Sequence, residues 1–251
     1  MRNLRLTIAY DGADFHGWQR QPDLPTVQAA IESAIARLTG ESVALHGSGR
    51  TDAGVHALNQ VANFKTASPI PCANLRRALN DLLPPTVRIK RIEEAAESFH
   101  ARYDARAKTY RYRILQTPVA SPFLCRFTAH FPEPLARKPM REAAQGLEGE
   151  HDFTSFAAAL DDASRESKAN NVRRIFESRV LWHARTSILI YEVRGNGFLP
   201  HMVRNIAGTL IEVGRGKLEP RNVMRILEAR DRAFAGPTAP AQGLVLVRVE
   251  Y

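Results

Sequence analysis

The chain begins with a run in which every second residue is apolar. The apolar members are Leu4, Leu6, Ile8 and Tyr10. This period of two predicts a strand with one buried face, and Asp11-Gly12 predicts the turn that ends it. Apolar residues at helical spacing then predict a helix over 27–38, with Thr26 as its N-cap and Gly40 at its C-terminal end.

The same patterns predict the remaining elements. In chain order they are strands over 42–46 and 58–64, a helix over 73–83, strands from Val87 and over 108–115, a helix over 138–147, strands over 172–182 and 186–194, helices over 199–213 and 219–229, and a final strand over 244–250. Short links between neighbouring strands favour antiparallel sheets covered by helices, an α+β fold class.

Two segments interrupt this pattern. Residues 100–107 are charged and short of large apolar side chains. The domain boundary is placed there, giving domains over 1–104 and 105–251 that share a similar order of elements. Residues 157–171 are polar and weakly periodic, which predicts a surface loop that could order on a partner.

Composition narrows the function to binding of an acidic partner. The net charge is +9 and the isoelectric point is near 10.0, a balance for which nucleic acid is the commonest explanation. Charge alone does not separate RNA from DNA or from an anionic membrane. Cys72 and Cys125 have no ligand spacing, so a reducing cytosol is expected and no metal site is predicted. No apolar run approaches the length of a membrane span.

Acidic, basic and flexible residues are concentrated in 49–57, which reads GRTDAGVHA. By chemistry alone this run is either a polar turn with a local Arg–Asp pair or a loop that carries a reaction. The string resembles the catalytic motif of the tRNA pseudouridine synthase A family. The resemblance implies that Asp52 is the catalytic residue and that Arg50 supports the site and holds the RNA in its flipped-out state.

Basic and aromatic residues are interleaved in 99–113, which reads FHARYDARAKTYRYR. Such a segment is either an amphipathic strand with a tyrosine core or a surface that binds phosphates and bases. Residues 108–112 are similar to the family's second motif, whose first tyrosine lies against the target base and can take its C5 proton. The resemblance implies this catalytic role for Tyr110. Arg111 and Arg113 would lie on the opposite face of a strand and are predicted to contact RNA.

A glycine-flanked turn leads into a helix over 195–208, which reads GNGFLPHMVRNIAG. Its arginine, Arg204, either extends to solvent or pairs with a carboxylate. The run resembles the family's third motif, which implies that Arg204 pairs with Asp52. Pro200 departs from that motif, where a larger residue is expected.

Two weaker matches complete the resemblance, which runs from about residue 8 to the final strand. The Gly-Leu-x-Leu pattern at 243–246 implies that Leu244 packs against the base or the catalytic tyrosine. Residues 10–21, reading YDGADFHGWQRQ, are similar to the family's opening segment. Trp18, Arg20 and Gln21 are predicted from it as RNA contacts.

The resemblance implies an isomerase that converts uridine to pseudouridine at positions 38, 39 and 40 of the tRNA anticodon stem–loop. It implies two α+β subdomains with a basic catalytic cleft, a homodimer, a cytoplasmic location and tRNA as the partner, without DNA, membrane, metal or other cofactor. Whether Asp52 acts as a nucleophile or as a general base stays open. The alternatives are a relative with other tRNA target positions, a non-catalytic tRNA-binding module, and an Asp-dependent hydrolase. The hydrolase is disfavoured because the loop holds no second acid.

Overall fold

The computed structural model of the 251-residue chain describes residues 1–158 and 170–251. Most of the loop expected over 157–171 therefore lies outside the described residues. The fold divides into two compact units. The first unit is Met1–Arg106 with Val245–Tyr251, and the second is Ala107–Leu244.

The first unit is a sheet with two helices. Its elements are β1 (Arg2–Tyr10), α1 (Val27–Thr39), β2 (His46–Gly47), β3 (His56–Thr66), α2 (Cys72–Leu82), β4 (Val87–Ala95) and β10 (Leu244–Glu250). The strand order is β4-β1-β3-β10, and the short β2 pairs with β3. β1 is antiparallel to both of its neighbours, whereas β10 runs parallel to β3. The predicted alternation in β1 is confirmed, since Leu4, Leu6 and Ile8 are fully buried.

Helix α1 begins and ends at the residues predicted to cap it. The hydroxyl of Thr26 accepts a hydrogen bond from the amide of Ala29. Gly40 adopts the left-handed conformation, with φ at 73°, and its amide donates to the carbonyl of Ala36. Helix α2 packs on β4 and buries Leu75 and Leu79.

The second unit also combines strands with helices, of which its described residues include three. Its elements are β5 (Ala107–Leu115), β6 (Ala129–His130), α3 (Arg137–Gln145), β7 (Gly149–Asp152), β8 (Val172–His183), β9 (Ile188–Gly195), α4 (Met202–Gly214) and α5 (Asn222–Ala229). The antiparallel order is β5-β9-β8-β7, and β6 pairs in parallel with β5. Helix α3 packs against β8 and α4. The predicted α+β class is confirmed.

Three details differ from the sequence prediction. The strand expected over 42–46 is reduced to His46–Gly47. The two short strands β6 and β7 were not predicted, because two to four residues are too few to show a periodicity. The final strand groups with the first unit, although the predicted division placed it in 105–251, because it pairs with β3. No described helix is both long enough and apolar enough to span a membrane.

Candidate active site

Asp52 lies in the loop that joins β2 to β3, residues 48–55, hereafter the Asp52 loop. The carbonyl of Asp52 accepts a hydrogen bond of 3.1 Å from the amide of Val55, which closes a tight turn. Gly54 supplies the positive φ, 78°, that this turn requires. The Asp52 side chain is half-buried, whereas Thr51 before it and Val55 after it are buried. The loop thus presents a carboxylate from an anchored backbone.

The segment 10–21 holds the Asp52 loop through backbone and side-chain hydrogen bonds. The amide of Trp18 donates to the carbonyl of Thr51 at 3.0 Å, and the amide of Gly54 donates to the carbonyl of Phe15 at 3.2 Å. The hydroxyls of Tyr10 and Thr51 share a hydrogen bond of 2.8 Å. These three contacts fix the residue before Asp52 and the turn after it.

Close backbone approach explains two glycines in this arrangement. Gly17 has a φ of 87°, and a Cβ built there would lie 2.5 Å from the carbonyl oxygen of Thr51. A Cβ on Gly12 would lie 1.9 Å from the carbonyl oxygen of Val55. Only glycine lets segment 10–21 lie this close to the Asp52 loop.

Trp18 is a buried support of the loop. Its side chain is only 2% exposed and occupies the space where a Cβ on Gly47 would lie, 2.5 Å from the indole nitrogen. Its ring also lies 6.0 Å from that of Tyr10. This position gives Trp18 a packing role, and the RNA contact predicted for it stays a prediction.

Gln60 on β3 is a loop support that the sequence analysis missed. Its side-chain nitrogen donates to the carbonyl of Gly49 at 2.9 Å, and its side-chain oxygen accepts from the hydroxyl of Ser48 at 2.6 Å and from the amide of Val61. Burying an amide is favourable only when such partners are present. Gln60 is fully buried, but β3 holds several other polar residues, so the sequence gives no signal that singles Gln60 out.

A contact between His56 and the turn after β1 was also missed in the sequence analysis. The Nδ1 atom of buried His56 accepts a hydrogen bond from the amide of Gly12 at 3.0 Å and lies 3.1 Å from a carboxylate oxygen of Asp11. This contact joins the start of β3 to the turn after β1. Both residues belong to the matched strings, but nothing in either string indicates that they meet.

The predicted polar RNA contacts of the first unit lie at its surface. Arg50 is exposed, and its Nε donates to the side chain of Gln19 at 3.1 Å. Arg20 is exposed and lies 3.4 Å from the carboxylate of Glu32. Gln21 donates to the carbonyl of His16 at 3.0 Å. These side chains are accessible to a large ligand.

Tyr110 lies on β5 of the second unit and is 8% exposed. Its ring meets that of Phe198 edge to face, with centroids 5.1 Å apart, a favoured aromatic geometry. Tyr112 follows on the same face and is fully buried. Its hydroxyl donates to the carbonyl of Pro240 at 2.8 Å, and a Cβ on Gly243 would collide with its ring at 2.6 Å.

The opposite face of β5 carries the predicted basic contacts. The guanidinium of Arg111 forms an ion pair of 2.5 Å with Glu192 on the neighbouring strand, so an RNA phosphate would have to compete with that carboxylate. Arg113 is half-buried, and burial, followed by the charge of Arg111, lowers the pKa of Arg113. Both side chains remain partly accessible.

Arg204 lies in the first turn of α4 and is held by the loop before β10. Its Nε donates to the carbonyl of Ala239 at 2.9 Å, and the amide of Ala239 donates to the carbonyl of Arg204 at 3.2 Å. Burial raises the pKa of Tyr112, and the positive charge of Arg204 offsets part of that effect. Leu244, buried at the start of β10, directly follows this loop.

The described residues thus contribute two groups of candidate side chains, one in each unit. The first unit carries Asp52, Arg50, Trp18, Arg20 and Gln21, and the second carries Tyr110, Arg111, Arg113, Arg204 and Leu244. The pairing of Arg204 with Asp52 joins residues of different units and stays a prediction. Across residues 1–158 and 170–251, no group of three or more His, Cys, Asp or Glu side chains could hold a metal ion.

Comparison with known proteins identifies the class of this α+β chain. A family model described as tRNA pseudouridine synthase matches residues 6–104 and 143–251. The protein named tRNA pseudouridine synthase A in Solibacter usitatus is 51% identical over the full length of both chains. The proteins of that name in Brevibacillus brevis and Caldicellulosiruptor saccharolyticus are 48% and 45% identical, also over the full length of both chains.

The chain therefore belongs to the tRNA pseudouridine synthase A family. As a member of this family it is an isomerase.

Proposed function

We propose that the protein converts uridine to pseudouridine at positions 38, 39 and 40 of the tRNA anticodon stem–loop, with Asp52 as the essential residue. The observation that carries this proposal is the Asp52 loop, whose carboxylate is presented by a backbone fixed on both sides. Catalytic groups need such rigid support, because a small misplacement costs a large factor in rate. Full-length relatives named tRNA pseudouridine synthase A support the substrate class.

The reaction is an isomerisation, so its atoms balance without a co-substrate. The N1–C1′ bond of the nucleotide breaks, the uracil turns, and C5 bonds to C1′. The proton on C5 is lost to solvent and N1 takes up a proton. The target base must leave the helical stack before these atoms are accessible. Asp52 is proposed to attack C1′, to add to the ring, or to remove a ribose proton, and all three roles require it to be near the flipped nucleotide.

The neighbouring candidates divide the remaining tasks. Arg50 is exposed beside Asp52 and would hold the extruded nucleotide through its phosphate. Tyr110 would stack on the target base, and its contact with Phe198 fixes the ring for that purpose. Arg204 would orient Asp52, and Leu244 would close the pocket beside the base.

Electrostatics favours this enzyme over a non-catalytic tRNA-binding module. A carboxylate on a loop that faces RNA repels phosphate, so a module selected only for binding has no use for Asp52. A family member with other tRNA target positions is the second candidate. The matching family model is described only as tRNA pseudouridine synthase, which specifies no target position. The homodimer, the basic catalytic cleft and the cytoplasmic location implied by the resemblance stay predictions.

A tritium-release assay tests the proposal directly. Anticodon stem–loop RNA labelled at uracil C5 is incubated with the wild type, with Asp52→Asn and with Asp81→Asn, a control at an exposed position of α2. We expect release from the wild type and the control and none from Asp52→Asn. Release from all three proteins would refute the role of Asp52, and binding without release from any would favour the binding module.

Substrates with a uridine at a single position test the target sites. Loops in which only position 38, 39 or 40 carries uridine should each release tritium. Release from none of these loops but from full-length tRNA would support other target positions. The pairing of Arg204 with Asp52 is tested by comparing Arg204→Lys with Arg204→Ala, because lysine keeps the charge and loses the planar fork of donors.

A further inference from the structure

Three aromatic rings of the first unit form a chain at its surface. The ring centroids of His46 and His100 are 5.0 Å apart, and those of His100 and Tyr103 are 4.3 Å apart. We call these three residues the His–Tyr stack. Its outer member, Tyr103, is 77% exposed. A ring this exposed contributes little to the core, so its placement needs another explanation.

The backbone under the stack is held rigidly by buried amides. The side chain of Asn3 donates to the carbonyls of Ala96 and Phe99 at 2.9 and 2.8 Å. The side-chain oxygen of Asn63 accepts from the amide of Ala101 at 2.9 Å. Buried asparagines satisfied in this way fix the loop that carries His100 and Tyr103.

The imidazole of His100 is held in place by the backbone. The amide of Arg102 donates to its Nδ1 at 3.1 Å, so that nitrogen is an acceptor. Burial, followed by the charge of His46, lowers the pKa of His100. The His100 ring packs on Tyr103 and holds the Tyr103 ring from one side.

A basic residue, Arg102, lies beside the exposed ring of the His–Tyr stack. The guanidinium carbon of Arg102 lies 5.9 Å from the centre of the Tyr103 ring. The carboxylate of Asp104 accepts from the backbone amide of His100 and holds the turn. An exposed ring beside an arginine is the arrangement with which proteins bind an unpaired base and its phosphate.

The position of the stack connects it to the proposed reaction. His46 lies in β2, which leads directly into the Asp52 loop. An RNA whose target nucleotide lies at Asp52 has further unpaired nucleotides in its loop. The net charge of +9 also favours RNA over a protein partner as the occupant.

We propose that the His–Tyr stack is a second RNA-binding site, on which an unpaired nucleobase of the substrate stacks against Tyr103 while Arg102 contacts a phosphate. This inference rests on the proposed tRNA substrate. The site adds affinity and takes no part in the bond changes at the target uridine.

Binding measurements on the full-length protein test the proposal. The dissociation constant for tRNA is measured by fluorescence anisotropy over a series of salt concentrations. The variants are Tyr103→Ala, Tyr103→Phe and Arg102→Ala. The matched control is Phe123→Ala, since Phe123 is an 88% exposed aromatic residue in the second unit.

Removing the ring should weaken binding roughly fivefold or more, the lower end of what one base–aromatic stack contributes. Tyr103→Phe keeps the ring, so it should bind within about twofold of the wild type, as should Phe123→Ala. Arg102→Ala should reduce the slope of log affinity against log salt by about one, whereas Tyr103→Ala should leave that slope unchanged.

Two further readouts separate this proposal from its competitors. In the tritium assay, Tyr103→Ala should raise KM and leave kcat unchanged. If the wild type releases no tritium, and Tyr103→Ala binds tRNA more weakly than the wild type does, the proposed function fails and the second RNA-binding site stands. Wild-type affinity in Tyr103→Ala would overturn the second site. A change of oligomeric mass in Tyr103→Ala would overturn it too, because the stack would then be an interface with a second copy of the chain.

Discussion

The hydrogen bond between Tyr10 and Thr51 predicts that Tyr10→Phe slows the reaction proposed for Asp52. The phenol of Tyr10 is buried and lies 2.8 Å from the hydroxyl of the residue that precedes Asp52. Burial raises the pKa of Tyr10, so the phenol stays neutral and able to donate. The substitution keeps the ring and removes this contact together with a side-chain hydrogen bond to Gln60.

The magnitude follows from the net contribution of one buried hydrogen bond, about 0.5–1.5 kcal/mol. If all of it serves to hold the loop in its reactive position, kcat falls about two- to tenfold, since each 1.4 kcal/mol is about a factor of ten. A loss of about 1 kcal/mol of stability lowers Tm by roughly 2–4 °C in a chain of this size.

Tyr191→Phe is a matched control. Tyr191 is an equally buried tyrosine of the second unit, its hydroxyl lies 3.1 Å from that of Ser178, and burial likewise raises the pKa of Tyr191. Thermal unfolding and single-turnover tritium release are measured on both variants. Both should lose similar stability, and only Tyr10→Phe should lose kcat. Equal kcat values in the two variants would refute the view that this contact positions Asp52.

Two further predictions concern backbone geometry and pH. Gly17→Ala and Gly40→Ala both place a side chain at positive φ, which costs about 1–2 kcal/mol. Only at Gly17 does the new Cβ also meet the carbonyl of Thr51, so urea unfolding should show a further loss of about 1–3 kcal/mol and activity should fall in that variant alone. Burial alone would raise the pKa of Glu212, but hydrogen bonds from Arg215 and a neighbouring lysine outweigh it, and its pKa is lowered below 4.5. Glu212 therefore contributes stability that is present above pH 4.5 and lost as pH falls through the folded pKa. Tm measured from pH 6 to 3 should fall more steeply in the wild type than in Glu212→Gln, and parallel curves would contradict this.

Elements with a strong local signal were predictable from the sequence. Helix α1 has a capping threonine and a terminal glycine, and β1 has an uninterrupted alternation, so both agree closely with the structure. The strand expected over 42–46 lacked such support, and only His46–Gly47 pairs with β3. Pairing depends on a partner strand, which local periodicity does not reveal.

In the candidate site, too, features with a local sequence signal were predictable and features that depend on distant residues were not. The strings around Asp52 and Arg204 were recognisable because each is contiguous in the chain. The supports were not, because Gln60, His56 and Tyr10 act through contacts with residues that are distant in sequence. The burial of Trp18 was not predicted either, because it depends on the space beside Gly47, which lies far from Trp18 in the sequence.

The placement of β10 has a consequence for the order in which the protein is assembled. β10 pairs with β3 at His56 and Ala57, immediately after the Asp52 loop, yet in the chain it follows the whole second unit. At roughly 5–20 residues per second, synthesis of the roughly 180 residues between Thr66 and Leu244 takes about 9–36 s. During that time the edge of β3 has no partner from β10, and the strand leaving the Asp52 loop is not yet locked. A nascent chain therefore completes the support of the Asp52 loop only after the residues that carry Tyr110 and Arg204 have been made.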